Sequence, residues 1–383
     1  MSSDPAYRGA ASAASPPPPG AQTPGGQTPG GQTPGGQTPG GQTPGGQTPG
    51  GQTPGGQAAA GQAAGGGPTA GSCATAAEIA SQPGRWRRAA ALAPSADALP
   101  RSGERVAVVG CGTSWFVAQS YAALREARGQ GHTDAFAASE FPRTRLARFY
   151  DRVLAISRSG TTTEVLALLD RLRGAARLSA VTAVPGAPVA DAADETVVLD
   201  FADEESVVQT RFATSALALL RARLGEDVEA VAADGERALA RELPPGLTGA
   251  EQVTFVGTGW TVGLAREAAL KLREAAGAWT EAYPAMEYRH GPVSVTGPGR
   301  AVWALGALPA GLAEDVAAAG GALVADSGPH AAPDRRLDPM ADLVRVHRLA
   351  VAVAQARGLD PDRPRNLTRS VVLPRAHVGG PEA

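Results

Sequence analysis

Lysine is almost absent from this chain. Of its 35 basic residues one, Lys271, is lysine and the other 34 are arginine. The many Ala, Gly and Arg residues point to a genome with strong codon bias, and against that background a single retained lysine stands out. Cysteine is nearly as scarce. Cys73 and Cys111 form neither a disulfide framework nor a zinc-binding spacing, so no metal is expected. Charge of one sign is lacking too: the formal net charge of −2 gives no reason to expect nucleic acid or a membrane surface as partner. Apolar runs are too short to span a bilayer, and the N-terminus lacks the apolar stretch of a signal peptide. A cytoplasmic protein is the expectation.

Apolar bulk is missing altogether from residues 1–72. The unit TPGGQ occurs seven times between Thr23 and Gln57, after a proline run and before a Gly/Ala/Gln stretch. Such a segment cannot bury enough surface to offset chain entropy and reads as a disordered low-complexity tail. The remainder reads as α/β. The run "TAAEIASQPGRWRRAAALA" suggests one or two short amphipathic helices. Apolar runs at Val106–Val109, Val153–Ile156, Leu178–Val184 and Val197–Phe201 alternate with helical patterns at Thr161–Arg173 and Val207–Leu224. Strands alternating with helices predict a parallel sheet covered on both faces. After a polar link, Gly225 to Gly249, the scheme restarts: "VAVVGCGTSWFVAQ" aligns with "VTFVGTGWTVGLAR". Runs at Ala301–Leu305 and Ala322–Ala325, with helices near Gly311–Ala319 and Ala341–Ala354, complete a second unit. Two tandem lobes are expected, over 73–230 and 245–383.

Three motifs carry chemistry. "GCGTSW" is not a dinucleotide fingerprint, because Trp115 stands where the third glycine should be. Thr113 and Ser114 nevertheless sit where hydroxyls can meet a ligand at the end of a strand. In "AISRSGTTTEVL", Ser157, Ser159, Thr161, Thr162 and Thr163 surround Gly160 just before a helix. One hydroxyl suffices for a cap; five suggest an anion cradle on free backbone N–H groups, with Arg158 adding charge and no metal required. The Gly-Lys-Ser/Thr ending of a Walker loop is absent. In "REAALKLREAAGAWTEAYPAMEYRHGP", Glu267, Lys271 and Glu274 share one helix face. Arginine would serve equally well in a solvated ion pair, so a compact ammonium is required at 271. His290, in a turn before Gly291-Pro292, is a further catalytic candidate.

Together these residues resemble the SIS (sugar isomerase) family in its tandem-lobe form. The nearest likeness is to the isomerase half of glutamine–fructose-6-phosphate transaminase, to ketosamine-phosphate deglycases and to amino-sugar-phosphate deaminase/isomerases. The motifs are "CGTS", "SRSGTTTE", "EAALKLRE…EAYPAMEYRHGP" and the tail "DRPRNLTRSVV". The resemblance implies that Ser114 touches sugar hydroxyls and that Ser157, Arg158, Ser159 and Thr162 hold the phosphate. It implies that Val207 and Gln209 line the sugar, that Glu274 moves a proton between C1 and C2, and that His290 assists from a neighbouring subunit of a homodimer. Lys271 and Glu267 fall on the site helix, and the tail closes the site. Two departures stand out. The repeat tail occupies the place of a glutaminase domain, so glutamine-independent chemistry is expected. Arg369 replaces a family lysine, and arginine cannot form a Schiff base. The implied activity is isomerisation, deamination or deglycation of a phosphosugar without a cofactor; a non-catalytic phosphosugar sensor is the competing reading.

Overall fold

The computed structural model describes residues 73–142 and 149–374. The expected tail over residues 1–72 lies outside the described residues. The first element is a single helix, α1 (Ala74–Leu92), that passes through Pro83 without breaking. The first sheet comprises β1 (Val106–Gly110), β2 (Thr133–Ala137), β3 (Arg152–Ile156), β4 (Arg177–Thr182) and β5 (Glu195–Val198). Its order is β2-β1-β3-β4-β5, all parallel. The connecting helices are α2 (Thr113–Ala127), α3 (Thr163–Leu172) and the short α4 (Pro188–Ala192), followed by α5 (Arg211–Arg223) and α6 (Val228–Ala240). The second sheet comprises β6 (Gln252–Gly257), β7 (Trp279–Pro284), β8 (Arg300–Leu305) and β9 (Ala322–Val324), in the order β7-β6-β8-β9, again parallel. Its helices are α7 (Thr261–Ala276), α8 (Leu312–Ala318) and α9 (Pro339–Ala356).

Strands β1 and β3 are buried at every position, as strands covered on both faces must be. Alternate residues face two cores. Val106, Val108, Leu154 and Ile156 join a large cluster that also takes in Trp86, Phe212, Phe255, Trp303 and Leu343, so one core runs from the first sheet to the second. Ala107, Val109, Val153 and Ala155 pack under Leu168, Leu169 and Leu172 of α3. Helices α2 and α7 pack against each other between the sheets, which brings their N-terminal and C-terminal site residues together.

Two expectations fail for identifiable reasons. The polar link Gly225–Gly249 contains helix α6. A Cβ on Gly235 would come within 2.7 Å of Trp86 and 3.1 Å of Pro83, so this glycine permits close packing of α6 on α1. The helix expected from Val207 begins only at Arg211. The buried Glu204 carboxylate accepts the N–H groups of Thr210 (2.6 Å), Arg211 (2.7 Å) and Phe212 (3.3 Å), capping α5 there. Val207 to Thr210 are thereby left as a loop beside the site.

Candidate active site

The register pairs Val109 of β1 with Ala155 of β3, so the loops leaving these two strands emerge side by side. Adjacent strands lie about 4.8 Å apart. One loop delivers Thr113 and Ser114, both buried, to the start of α2. The other, Ser157 to Thr162, precedes α3. Gly160 takes φ +64°, and a Cβ there would meet the Ala187 Cβ at 2.5 Å and Val189 at 2.8 Å, so the loop's curvature depends on glycine. Its N–H donates to Ser157 Oγ at 3.2 Å. Thr162 is the residue before the first turn of α3, and its hydroxyl makes no capping bond. Instead the tail comes in: the Thr163 N–H donates to the Val371 carbonyl at 3.2 Å. Ser159, Thr161 and Ser370 form a hydroxyl triad, with Oγ separations of 3.0–3.1 Å. Thr161 and Ser370 were not singled out as site residues in the sequence. Thr161 stood inside the hydroxyl run, but nothing local marked Ser370.

Arg158 turns away from the loop it belongs to. Its guanidinium donates to the carbonyls of Ser206 (2.9 Å), Val207 (3.3 Å) and Arg369 (3.1 Å) and lies 3.7 Å from Glu204. It ties three segments together: the cradle, the Val207–Thr210 loop and the tail. Arg369 reinforces this, donating to the Glu204 carbonyl and to Asp203. Next to Val207, Gln209 is partly buried with its Oε1 unpartnered.

From the second sheet, α7 supplies Glu267, Lys271 and Glu274. Lys271 is 1% exposed and donates to Thr113 Oγ1 at 2.9 Å and to Glu274, while Glu267 lies at 3.5 Å. Burial pulls the lysine pKa down, but the two carboxylates outweigh it and keep the ammonium charged. Glu267 is fully buried, and neither carboxyl oxygen has a hydrogen-bond partner. Burial pushes its carboxyl up to about 7, opposed by Lys271 and assisted by Glu274. His347 of α9 meets Gln82 at 3.2 Å, and burial together with the Lys271 charge pushes its imidazole down to about 3. Glu274 is the open member of the face, with 20% of its side chain exposed. The sole lysine is thus a buried point charge holding one carboxylate at the rim. His290 is apart from this cluster: it ends a 3-10 turn after β7 and is exposed. Among the described residues no group of three or more His, Cys, Asp or Glu side chains is arranged to hold a metal ion, and no helix is long and apolar enough to cross a membrane.

Comparison with known proteins bears on the fold and the family. The SIS domain model matches residues 101–223. The chain is 32% identical over 320 residues to the isomerizing glutamine–fructose-6-phosphate aminotransferase of Symbiobacterium thermophilum, covering 71% of this chain and 52% of that protein. The Aeropyrum pernix enzyme of the same name is 31% identical over 266 residues, covering 58% of this chain and 43% of its own. The chain therefore spans about half the length of the curated relatives it matches. Among solved structures, glucosamine-6-phosphate deaminase from Thermotoga maritima superposes with a TM-score of 0.64 at 24% identity, covering 79% of this chain and all (100%) of that one. The tagatose-6-phosphate ketose/aldose isomerase of Escherichia coli superposes with a TM-score of 0.61 at 18% identity, covering 79% and 96%. At these identities the structures establish a shared fold. Residues 101–223 thus match the SIS domain, on a chain similar over 71% of its length to an isomerizing glutamine–fructose-6-phosphate aminotransferase.

Proposed function

We propose that this protein is an enzyme that moves a proton between C1 and C2 of a phosphosugar bearing nitrogen, with Glu274 as the base. The observation that carries this reading is the Thr113–Lys271–Glu274 chain: a buried ammonium holds a rim carboxylate and ties it to the start of α2, whose strand β1 lies next to the strand that ends in the hydroxyl-rich loop. A protein that only sensed phosphosugars would have no use for so costly a buried charge cluster.

Phosphate would sit at the start of α3, on the loop N–H groups and the hydroxyls of Ser157, Ser159 and Thr162. Ser370 and Val371 would move aside as it enters. Arg158 would act as a clamp on the surrounding loops rather than as a phosphate ligand, and Ser114, Val207 and Gln209 would face the sugar. Glu274 takes the proton from the carbon next to the carbonyl or imine. The electron pair moves onto oxygen or nitrogen, giving an enediol or enolamine. Glu274 returns the proton to the former carbonyl carbon, whose oxygen takes up a proton from solvent while the hydroxyl on the other carbon releases one and becomes the new carbonyl, which isomerises the sugar. Where nitrogen is attached, the resulting imine takes up water and releases ammonia or amine. Phosphate binding at a distance fixes the reacting carbons against the carboxylate. Glu267, near neutral pKa, and Lys271 would balance charge as Glu274 gains and loses its proton. The exposed His290 fits a role in the site of a second subunit, so we further propose a homodimer.

The test is solvent exchange. A panel of sugar 6-phosphates and their amino and N-substituted derivatives is incubated with the protein in heavy water, and loss of the C1 or C2 proton signal is followed together with released ammonia or amine. At least one member should exchange in the wild type and not in Glu274→Gln. Tight binding of a panel member with no exchange in the wild type would make the protein a sensor and sink the proposal.

A further inference from the structure

Glu78 stands on α1, outside both sheets, and the proposed chemistry makes no use of it. It is 3% exposed, yet its carboxylate enters no salt bridge among the described residues. Its oxygens accept instead from one short stretch of loop. Oε1 takes the Glu205 N–H at 2.6 Å and the Ser206 N–H at 3.3 Å, and Oε2 takes the Ser206 hydroxyl. Burying a carboxylate without a cation is unfavourable unless donors converge on it. Here every donor comes from the loop, so the loop is what the carboxylate holds.

The same loop is gripped from its other sides. Arg158 donates to the Ser206 and Val207 carbonyls. The Val207 N–H donates to the Asp362 carbonyl at 3.1 Å, while the Asp362 carboxylate caps α1 through the N–H groups of Ala74 (2.8 Å) and Thr75 (2.7 Å). Helix α1, Asp362 and the loop are therefore one block. Glu204 takes the N–H groups of Thr210, Arg211 and Phe212, and the Ser206 hydroxyl also reaches the Val208 carbonyl at 2.9 Å. From Glu205 to Phe212 every backbone N–H is thus committed except those of Val208 and Gln209, and Gln209 Oε1 is unpartnered as well. A loop fixed everywhere except at two adjacent residues is pre-organised to give those residues to a ligand.

We infer that Glu78 is a positioning residue for the sugar: through the Glu205 and Ser206 amides it sets the backbone of Val207 to Gln209 where sugar hydroxyls are met. The inference rests on the proposed reading in which Val207 and Gln209 face the sugar while phosphate sits at the start of α3. The acceptor matters more than the charge, because Oε1 alone takes both loop N–H groups. A glutamine keeps that oxygen and can turn its NH2 toward the Ser206 hydroxyl, which remains free to donate to the Val208 carbonyl. A methionine of similar length leaves both amides without a partner.

The probes are inorganic phosphate and glucitol 6-phosphate, which carries the sugar hydroxyls but no carbonyl and so binds without turnover. Their dissociation constants are measured by calorimetry on the full chain, with circular dichroism as the check on folding. The wild type should bind glucitol 6-phosphate at least about tenfold tighter than phosphate. Glu78→Met should cut that advantage about tenfold while phosphate affinity stays within about twofold, and Glu78→Gln should keep most of it. If the methionine variant folds poorly, Ser206→Ala, which removes the hydroxyl between Glu78 and Val208, should cut the advantage about threefold with phosphate affinity unchanged. An advantage that is the same in the folded variants would overturn the inference. Equal weakening of both probes would overturn it too, by making Glu78 a purely structural residue. A wild type that binds both probes alike, or neither, would instead sink the reading that this loop faces the sugar, and the inference with it.

Discussion

At the end of β3, in the first sheet, five of the next seven residues carry hydroxyls and a helix starts at once. At the end of β8, which holds the corresponding place in the second sheet, the chain reads Gly306-Ala307-Leu308-Pro309-Ala310-Gly311. The strand orders match apart from the fifth strand of the first sheet, yet the loops differ in kind. Hydroxyls near the second glycine turn are all consumed internally: Thr261 accepts from the Thr258 N–H at 2.8 Å and donates to the Leu305 carbonyl, and Thr258 donates to the Ala307 carbonyl at 3.0 Å. In the first sheet Thr113 is instead turned toward Lys271 of the second. One sheet thus furnishes a hydroxyl-rich loop, the other a helix with a charged face, and the two proposed halves of the site come together where α2 meets α7. Two sheets of the same strand order thus differ in the chemistry of their loops.

The sharpest way to test this division is to remove the charged face. Glu274→Gln should lower kcat by roughly 10²–10⁴-fold while phosphosugar binding stays within a few-fold, because the isostere cannot accept a proton. Steady-state rates and calorimetry on the same preparation decide it, and a loss of binding equal to the loss of rate would contradict the division.

The glycines give a matched pair. Gly160→Ala combines a left-handed backbone with contacts of 2.5 and 2.8 Å at the new Cβ, whereas Gly259, at φ +59°, has nothing within 4 Å. Gly160→Ala should cost about 2–4 kcal/mol and abolish binding of inorganic phosphate or phosphosugar. Gly259→Ala should cost about 1 kcal/mol and leave binding intact. Urea midpoints and calorimetry would reveal equal effects, if the two loops were in fact equivalent.

Buried charge predicts a pH dependence. An unfolded glutamate titrates near 4.5 and Glu267 near 7, so across that window the folded chain holds more protons than the unfolded one. This group therefore makes the protein less stable as pH rises from about 4.5 to about 7. Glu267→Gln should remove that slope, a difference on the order of 3 kcal/mol at most between the two ends. Denaturation at pH 5 and pH 8 tests it; a shift of the same size at both would show that Glu267 does not titrate in this range.

A last expected effect concerns Lys271. Lys271→Arg keeps the charge but forces a larger planar group into a site 1% exposed. About a tenfold fall in kcat and a stability loss of about 1–3 kcal/mol are expected. Wild-type rate and melting midpoint in the variant would mean that the sole lysine has no structural reason.

Much of this was legible in the chain because it is local. Apolar runs gave β1, β3, β4 and β8, and helical spacing put Glu267, Lys271 and Glu274 on one face whatever else the chain did. Edge strands β2 and β7 escaped notice because "TDAFA" and "WTEAYP" are only partly buried and carry no continuous apolar run. Helix α6 escaped because its stretch reads as a polar link; the packing of Gly235 against Trp86, which holds it on α1, is visible only in three dimensions.

Amino-acid order alone determined the α/β alternation, the hydroxyl loop before α3 and the face of α7, since each depends on residues within one or two turns of one another. Tertiary structure alone decided that Lys271 would meet Thr113, 158 positions away, and that Ser370 would lie on Ser159, 211 positions away. It also decided that Arg158 would face three carbonyls from two distant segments. The physical reason is the same in each case. A polar group's partner is chosen by whichever distant segment the core brings alongside it, and a buried donor must take an acceptor that is there.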